Sequence, residues 1–240
     1  MNQTSVVKEF SRFAHAYDAH NIIQDEVAQV LVDLLPEAHY ETVVDIGCGS
    51  GAVYTYMLKK HIHASQFIAL DASAEMLTFH PIHPSIKKIQ ADFNTEDAFY
   101  LDLSKESIIL SASALQWSKD LDFTFSRLAS KTSKAYFAIF TSATFKTLHQ
   151  TSGVHSPIYS AEVLKNTIDK YYTAQYDIQS YTLQFASVKE MFRYIKRSGV
   201  SGGEKQLGYK ETKHLMEKYP LDYLEFEVLF VRAKSLTYSD

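Results

Sequence analysis

Val43-Val44-Asp45-Ile46-Gly47-Cys48-Gly49-Ser50-Gly51 packs an apolar run of strand length, an acidic residue and a glycine-rich turn into one short stretch. The run reads as a buried strand. Glycines let a backbone turn tightly and approach a ligand with no Cβ in between. Helical spacing resumes from Ala52, and the start of a helix presents amide groups that have no partner within it. Strand, glycine turn and helix in that order seat a nucleotide-sized molecule. Gly47, Gly49 and Ala52 fit the loose G-x-G-x-x-G/A spacing of dinucleotide folds. Asp45 argues for another ligand, because a dinucleotide strand is normally apolar there. A carboxylate at the strand end suits a molecule carrying positive charge.

Outward from this stretch the chain alternates. Residues 5–17 and 20–35 have amphipathic helical spacing, the second ended by Pro36. Strands are predicted at 42–46, 66–70, 86–90, 107–112 and 134–141, with helices near 52–61, 73–79 and 118–130 between them. Such alternation implies a parallel sheet covered by helices on both faces, the Rossmann-like doubly wound α/β class. Beyond residue 142 come helices near 143–150 and 160–171 and a strand at 176–184. A helix at 187–198, a break at Gly199, Gly202 and Gly203, a helix at 210–219 and a strand at 224–233 complete the chain. The last two strands read as an antiparallel pair closing a seven-stranded sheet, with the helical excursion of about 185–222 as a lid on one domain spanning 1–240.

Composition sets bounds. With 240 residues, 46% hydrophobic and 22% charged, the chain is of ordinary globular type and large enough for a sizeable core. A formal charge of −4 gives no global reason to expect nucleic acid. The single cysteine, Cys48, offers no disulfide framework and no metal cluster. His61, His63, His80 and His83 look like loop or helix-end residues. The segment 1–12 lacks a signal-peptide core, and no run of about 18 apolar residues occurs. The expected setting is a reducing cytoplasm, away from membranes.

Asp45, Gly47 and Gly49 in D-x-G-x-G spacing resemble the cofactor segment of the class I methyltransferases, which bind S-adenosylmethionine. That cofactor carries a cationic sulfonium and an amino group, the charges that suit Asp45. In doubly wound sheets the ligand lies outside the carboxyl ends of the strands, so the residues there are the candidates. Asp71 ends the second strand, about 20 residues beyond the glycine turn, where an acid accepts from ribose hydroxyls. Asp92 and Phe93 follow the third strand and suit the adenine amino group and ring. Ser111 opens a small-residue run after the fourth strand, with room for the methyl group. Cys48, Ala72, Met76 and Gln24 join the expected cofactor contacts. Asp71 and Asp92 also read as caps or turn residues, and Ser73 is the better cap for the helix through Met76.

Three further segments resemble the malonyl-[acyl-carrier protein] O-methyltransferases of biotin synthesis. Phe10-Ser11-Arg12-Phe13-Ala14-His15-Ala16-Tyr17-Asp18, with Gln24, is similar to that family's opening F-x-R-x-A-x-x-Y…Q pattern. Gln116-Trp117 matches its Q-W. Residues 182–199 resemble T-L-x-F-x-S followed by L-K-x-x-G, with Ile195 in place of Leu and Gly199-Val200 in place of Gly-Ala. The resemblance implies methyl transfer to the free carboxylate of malonyl-acyl-carrier protein or malonyl-coenzyme A; the alternatives are transfer to a quinone precursor or another small carboxylic acid, and a non-catalytic module that binds S-adenosylmethionine. It also implies that Tyr17 covers the cofactor with its hydroxyl at the transfer site, and that Gln116 and Trp117 flank the acceptor. Lys189, Arg193 and Lys196/Arg197 share one face of the predicted helix at 187–198. By periodicity this is a solvated face over a packed one. Under the resemblance it steers an acidic carrier protein, with Lys196 or Arg197, or else Arg12, holding the acceptor carboxylate.

Overall fold

The computed structural model describes residues 21–197 and 209–238; the side chains of residues 196, 197, 209 and 210 are outside that description. Helix α1 spans Ile22–Asp33. Strand β1, His39–Ile46, runs through the glycine turn into α2, Ala52–Lys59. Next come β2 (His63–Asp71), α3 (Ala74–Phe79), β3 (Ile86–Gln90), β4 (Ile108–Ala112), α4 (Leu121–Ala129) and β5 (Lys134–Phe140). Then follow α5 (Lys146–Ser152), α6 (Ala161–Ile168), β6 (Tyr172–Gln184), α7 (Val188–Arg197), α8 (Tyr209–Lys218) and β7 (Tyr223–Ser235).

The seven strands form one sheet in the order β3-β2-β1-β4-β5-β7-β6. β1 to β5 run parallel to one another, and β7 runs antiparallel to both β5 and β6. The expected seven-stranded, doubly wound architecture with an antiparallel pair at one edge is what the chain adopts. Strand order reverses between β1 and β4, the switch point at which open α/β sheets bind ligands.

β1 shows why the sheet must be covered on both sides. Val43 belongs to one buried apolar layer with Val27 and Leu31 of α1, while Val44 and Ile46 belong to the other with Phe125 of α4 and Leu164 of α6. Successive strand residues face opposite sides, so an unbroken apolar run needs helices on both.

Differences from the predicted boundaries have local causes. β2 begins at His63, because an exposed polar stretch, His63 to Gln66, still pairs with β1 in register. The helix predicted over 118–130 starts at Leu121, where the Asp120 side chain accepts from Phe123 N at 2.9 Å. A short 3-10 turn, Leu115–Trp117, precedes it. β6 begins at Tyr172, ahead of the predicted strand start at 176, and the preceding helix stops at Ile168, short of the predicted 171.

The excursion between β6 and β7 packs as the apolar periodicity of α7 requires. Met191 and Tyr194 are buried in the same layer as α1, and Val188, Phe192 and Ile195 lie against it. The Phe192 and Tyr219 rings meet edge-on with centroids 6.0 Å apart. Lys189 and Arg193 are exposed.

Candidate active site

A cavity of about 490 Å³ opens at the switch point, within the range of small-molecule sites. Its floor is the turn after β1. Gly47 has φ +71°, and a Cβ there would come 2.3 Å from the Ala114 Cβ, so the turn after β4 abuts the glycine turn directly. Gly51, at φ +93°, starts α2, and a Cβ there would come 2.6 Å from Pro81 Cδ and 2.9 Å from His80 Cδ2. Both positions demand glycine for conformation and for space.

Asp71 organises the next part of the wall. Its Oδ2 accepts from Gly49 N at 2.9 Å and its Oδ1 from Ser73 N at 2.8 Å. The carboxylate thus ties the end of β2 to the glycine turn. Burial pushes the Asp71 carboxyl up from its ordinary range, while the N–H groups of Ser73, Gly49 and Ala72 pull it down. Ser73, not Asp71, caps α3: its Oγ accepts from Met76 N at 3.1 Å. From β3, Lys88 Nζ donates to Leu77 O at 2.7 Å and His80 O at 2.5 Å. That anchors the end of the helix that carries Met76 to the cavity.

Asp45 is fully buried, and neither carboxylate oxygen has a hydrogen-bond partner among the described residues. Burial, with a smaller contribution from the negative charge of Asp71, pushes its carboxyl up to about 8. Burial also drives the Cys48 thiol well above its usual value, which makes Cys48 a small buried wall residue and not a thiolate. An unpartnered buried carboxylate is costly unless a cation meets it, so this wall suits a positively charged ligand.

Asp92 accepts from both Asn94 N (2.9 Å) and Asn94 Nδ2 (3.0 Å) through Oδ1, an Asx turn that leaves Phe93 on the wall. Asn94 Oδ1 in turn accepts from Lys119 N at 2.7 Å. Tyr159, far along the chain, donates to Ser118 O at 3.0 Å. These bonds bring the loops after β3, β4 and α5 together at one end of the cavity.

The structure therefore gathers Gln24, Asp45, Gly47, Cys48, Gly49, Asp71, Ala72, Met76, Asp92, Phe93, Gln116 and Trp117 around one space, as the sequence implies. Ser111 needs correcting. It is fully buried with Oγ donating to Ile46 O at 2.7 Å, and it braces β4 against β1 without lining the cavity. Ala112 and Ser113 line it in its place. No described residue of α7 or α8 lines the cavity. Arg12 and Tyr17 lie outside the described residues, as do the side chains of Lys196 and Arg197. Sequence reasoning missed Asn21, Ser113, Lys119, Pro157 and Tyr159. Asp92-Phe93-Asn94 carries an Asx-turn signal, but nothing local marks Tyr159 as its neighbour. Lys119 is the one basic residue on the wall among the described residues.

S-adenosylmethionine fits this donor set. The orphaned Asp45 carboxylate and the unpartnered Asn21 Oδ1 and Gln24 Oε1 are acceptors for a cationic amino and sulfonium ligand. Residues 43–134 match the model of the Methyltransferase domain family. The chain is an S-adenosylmethionine-dependent methyltransferase of class I architecture. Its similarity to malonyl-[acyl-carrier protein] O-methyltransferases extends over most of its length. It is 26% identical over 224 residues to that of Bacillus cereus, covering 84% of this chain and 82% of the relative. It is 24% identical over 235 residues to that of Bacteroides helcogenes, covering 86% and 85%. The fold is shared with the YcgJ protein of Bacillus subtilis, at TM-score 0.63 and 12% identity over 87% of this chain and 98% of that one. It is also shared with an S-adenosylmethionine-dependent methyltransferase of Mesorhizobium loti, at TM-score 0.52 and 16% identity over 88% and 100%.

Proposed function

We propose that this enzyme methylates the free carboxylate of a malonyl thioester, with malonyl-acyl-carrier protein as acceptor, an early step in making the biotin precursor. The observation that carries the reading is the similarity, over more than four fifths of the chain, to relatives of that name. Esterification would mask a charge that chain-elongating enzymes otherwise reject.

When bound, S-adenosylmethionine supplies a methyl group already activated by the sulfonium charge. A malonyl carboxylate is ionised at neutral pH, so it attacks without a general base. The protein's task is alignment and exclusion of water. Asp45 supplies the negative charge facing the cofactor's amino group and sulfonium. Asp71 holds the glycine turn and accepts from the ribose, while Asp92 and Phe93 take the adenine edge and ring. The family resemblance assigns Tyr17 the hydroxyl at the transfer site. The acceptor carboxylate needs a cation or several donors; Arg12, Lys196 and Arg197 are the basic candidates from the sequence, and Lys119 joins them from the wall. Lys189 and Arg193 give α7 an exposed basic face for an acidic carrier protein. The chain acts as one domain with residues 185–222 as its lid, and a reducing cytoplasm suits its free buried cysteine.

The test is methyl-labelled cofactor offered in parallel to malonyl-acyl-carrier protein, malonyl-coenzyme A and a demethylated quinone. Label should enter both thioesters, the carrier-linked one at lower KM. Label in the quinone alone would overturn the assignment.

A further inference from the structure

Ser113 follows β4 in a conformation that serine seldom adopts. Its φ is +60°, in the left-handed region where non-glycine residues are strained. Both backbone groups are engaged: Ser113 N donates to Ala138 O at 2.9 Å, and Ser113 O accepts from Gln116 Nε2 at 2.6 Å. The Gln116 amide reaches back across the turn and clamps it. Ala114, next in the chain, is the residue packed against Gly47, so the clamped turn sits directly on the glycine turn.

The side chain, unlike the backbone, has nothing to do within the described protein. Ser113 Oγ is buried without a hydrogen-bond partner, and Ser113 and Gln116 both line the cavity. Buried polar atoms nearly always find partners, so an unpartnered hydroxyl on a cavity wall calls for one from a ligand. A glycine would take this φ without strain; the serine retains a hydroxyl there despite it. The β1–β3 side of the cavity carries Asp45, Asp71 and Asp92, whereas the β4 turn adds a neutral donor beside Gln116 and Trp117. A hydroxyl donor suits an anionic acceptor.

We propose that Ser113 determines acceptor specificity by donating its hydroxyl to the acceptor carboxylate, with Gln116 as the positioning residue that holds it aimed. This rests on the malonyl thioester as acceptor. The roles divide cleanly: Ser113 touches the acceptor, and Gln116 acts through Ser113.

Ser113→Ala removes the hydroxyl and keeps the strained φ, Ser113→Gly removes both, and Gln116→Ala releases the clamp. Each full-length variant is titrated with S-adenosylmethionine by calorimetry and assayed with malonyl-coenzyme A at saturating cofactor. Both serine variants should bind cofactor within about threefold of wild type. Their KM for malonyl-coenzyme A should rise about 10- to 100-fold, the range for a lost hydrogen bond to a charged group. Gln116→Ala should lower kcat as well as raise KM, because it loosens the turn. Unchanged KM in Ser113→Ala, or a cofactor affinity that falls as far as KM rises, would overturn the proposal. Failure of the malonyl reading shows instead in the wild type, as no transfer to either thioester, and removes the carboxylate that Ser113 is assigned to meet.

Discussion

The cofactor side and the acceptor side of this cavity are built in different ways. Over β1, β2 and β3 the wall consists of short turns whose shape is set within a few residues. Examples are glycines at positive φ, Asp71 bonded to Ser73, and Asp92 bonded to Asn94, with the bond from Gly49 to Asp71 tying two neighbouring strand ends together. Beyond β4 a local clamp, Gln116 on Ser113, is joined by meetings between distant segments: Lys119 with Asn94, and Tyr159 with Ser118. The first side recognises a cofactor that many enzymes share, so local geometry suffices. On the proposed function the second recognises one acceptor, and its residues are drawn from wherever the chain passes.

Substitutions should respect that division, and the largest effect belongs at the seam. Gly47→Ala places a Cβ 2.3 Å from the Ala114 Cβ at a φ of +71°. Left-handed strain and overpacking together should lower stability by about 2–4 kcal/mol and damage both sides at once. Chemical denaturation with cofactor titration would check it, and a stable variant with normal affinity would mean that the two turns are less tightly joined than they look.

Asp71→Ala comes next and should separate the sides. Loss of an acceptor for charge-assisted and backbone bonds should weaken cofactor binding about 10- to 100-fold. Acceptor KM, measured at saturating cofactor, should stay put. An equal change in both would erase the distinction.

A smaller effect is expected on α7. Lys189→Glu with Arg193→Glu should raise KM for malonyl-acyl-carrier protein about 3- to 10-fold, spare malonyl-coenzyme A, and fade as salt rises. Stopped-flow or steady-state kinetics at two salt concentrations would read this. If neither substrate responds, that face is only solvated, as its periodicity alone suggests.

The same division explains what could be read in the sequence. Asp45, Gly47, Gly49, Asp71, Asp92 and Phe93 were legible because each sits at a strand end that the apolar runs define, and turn chemistry is local. The parallel, doubly wound sheet followed from alternation, and its closed edge from the antiparallel last pair. Ser111 misled because small residues after β4 look alike in one dimension; which of them faces the ligand depends on the turn that Gln116 clamps. Tyr159 and Lys119 had no local mark, since their roles come from loops that meet only in the folded chain. The excursion between β6 and β7 was legible as two helices, and the apolar face of α7 packs as its periodicity implied. Its link to the acceptor remains a matter for kinetics with Lys196→Glu and Arg197→Glu.

The most direct measurement concerns Asp45, the buried carboxylate left for a cation to neutralise. Burial, with the negative charge of Asp71, pushes its carboxyl up to about 8, far above the ordinary carboxylate range. A raised carboxyl holds its proton in the folded state, so the stability it contributes is full below about 4 and is lost as pH rises through about 8. A cationic cofactor favours the ionised form, so binding at pH 7 should release most of one proton. Affinity should then rise by up to about tenfold per pH unit up to 8. Calorimetric titration of S-adenosylmethionine in buffers of different ionisation enthalpy reads the proton directly. The expected result is release approaching one proton in wild type and none from this position in Asp45→Asn. Equal, buffer-independent heats in both proteins would contradict the claim that Asp45 is the charge awaiting the cofactor.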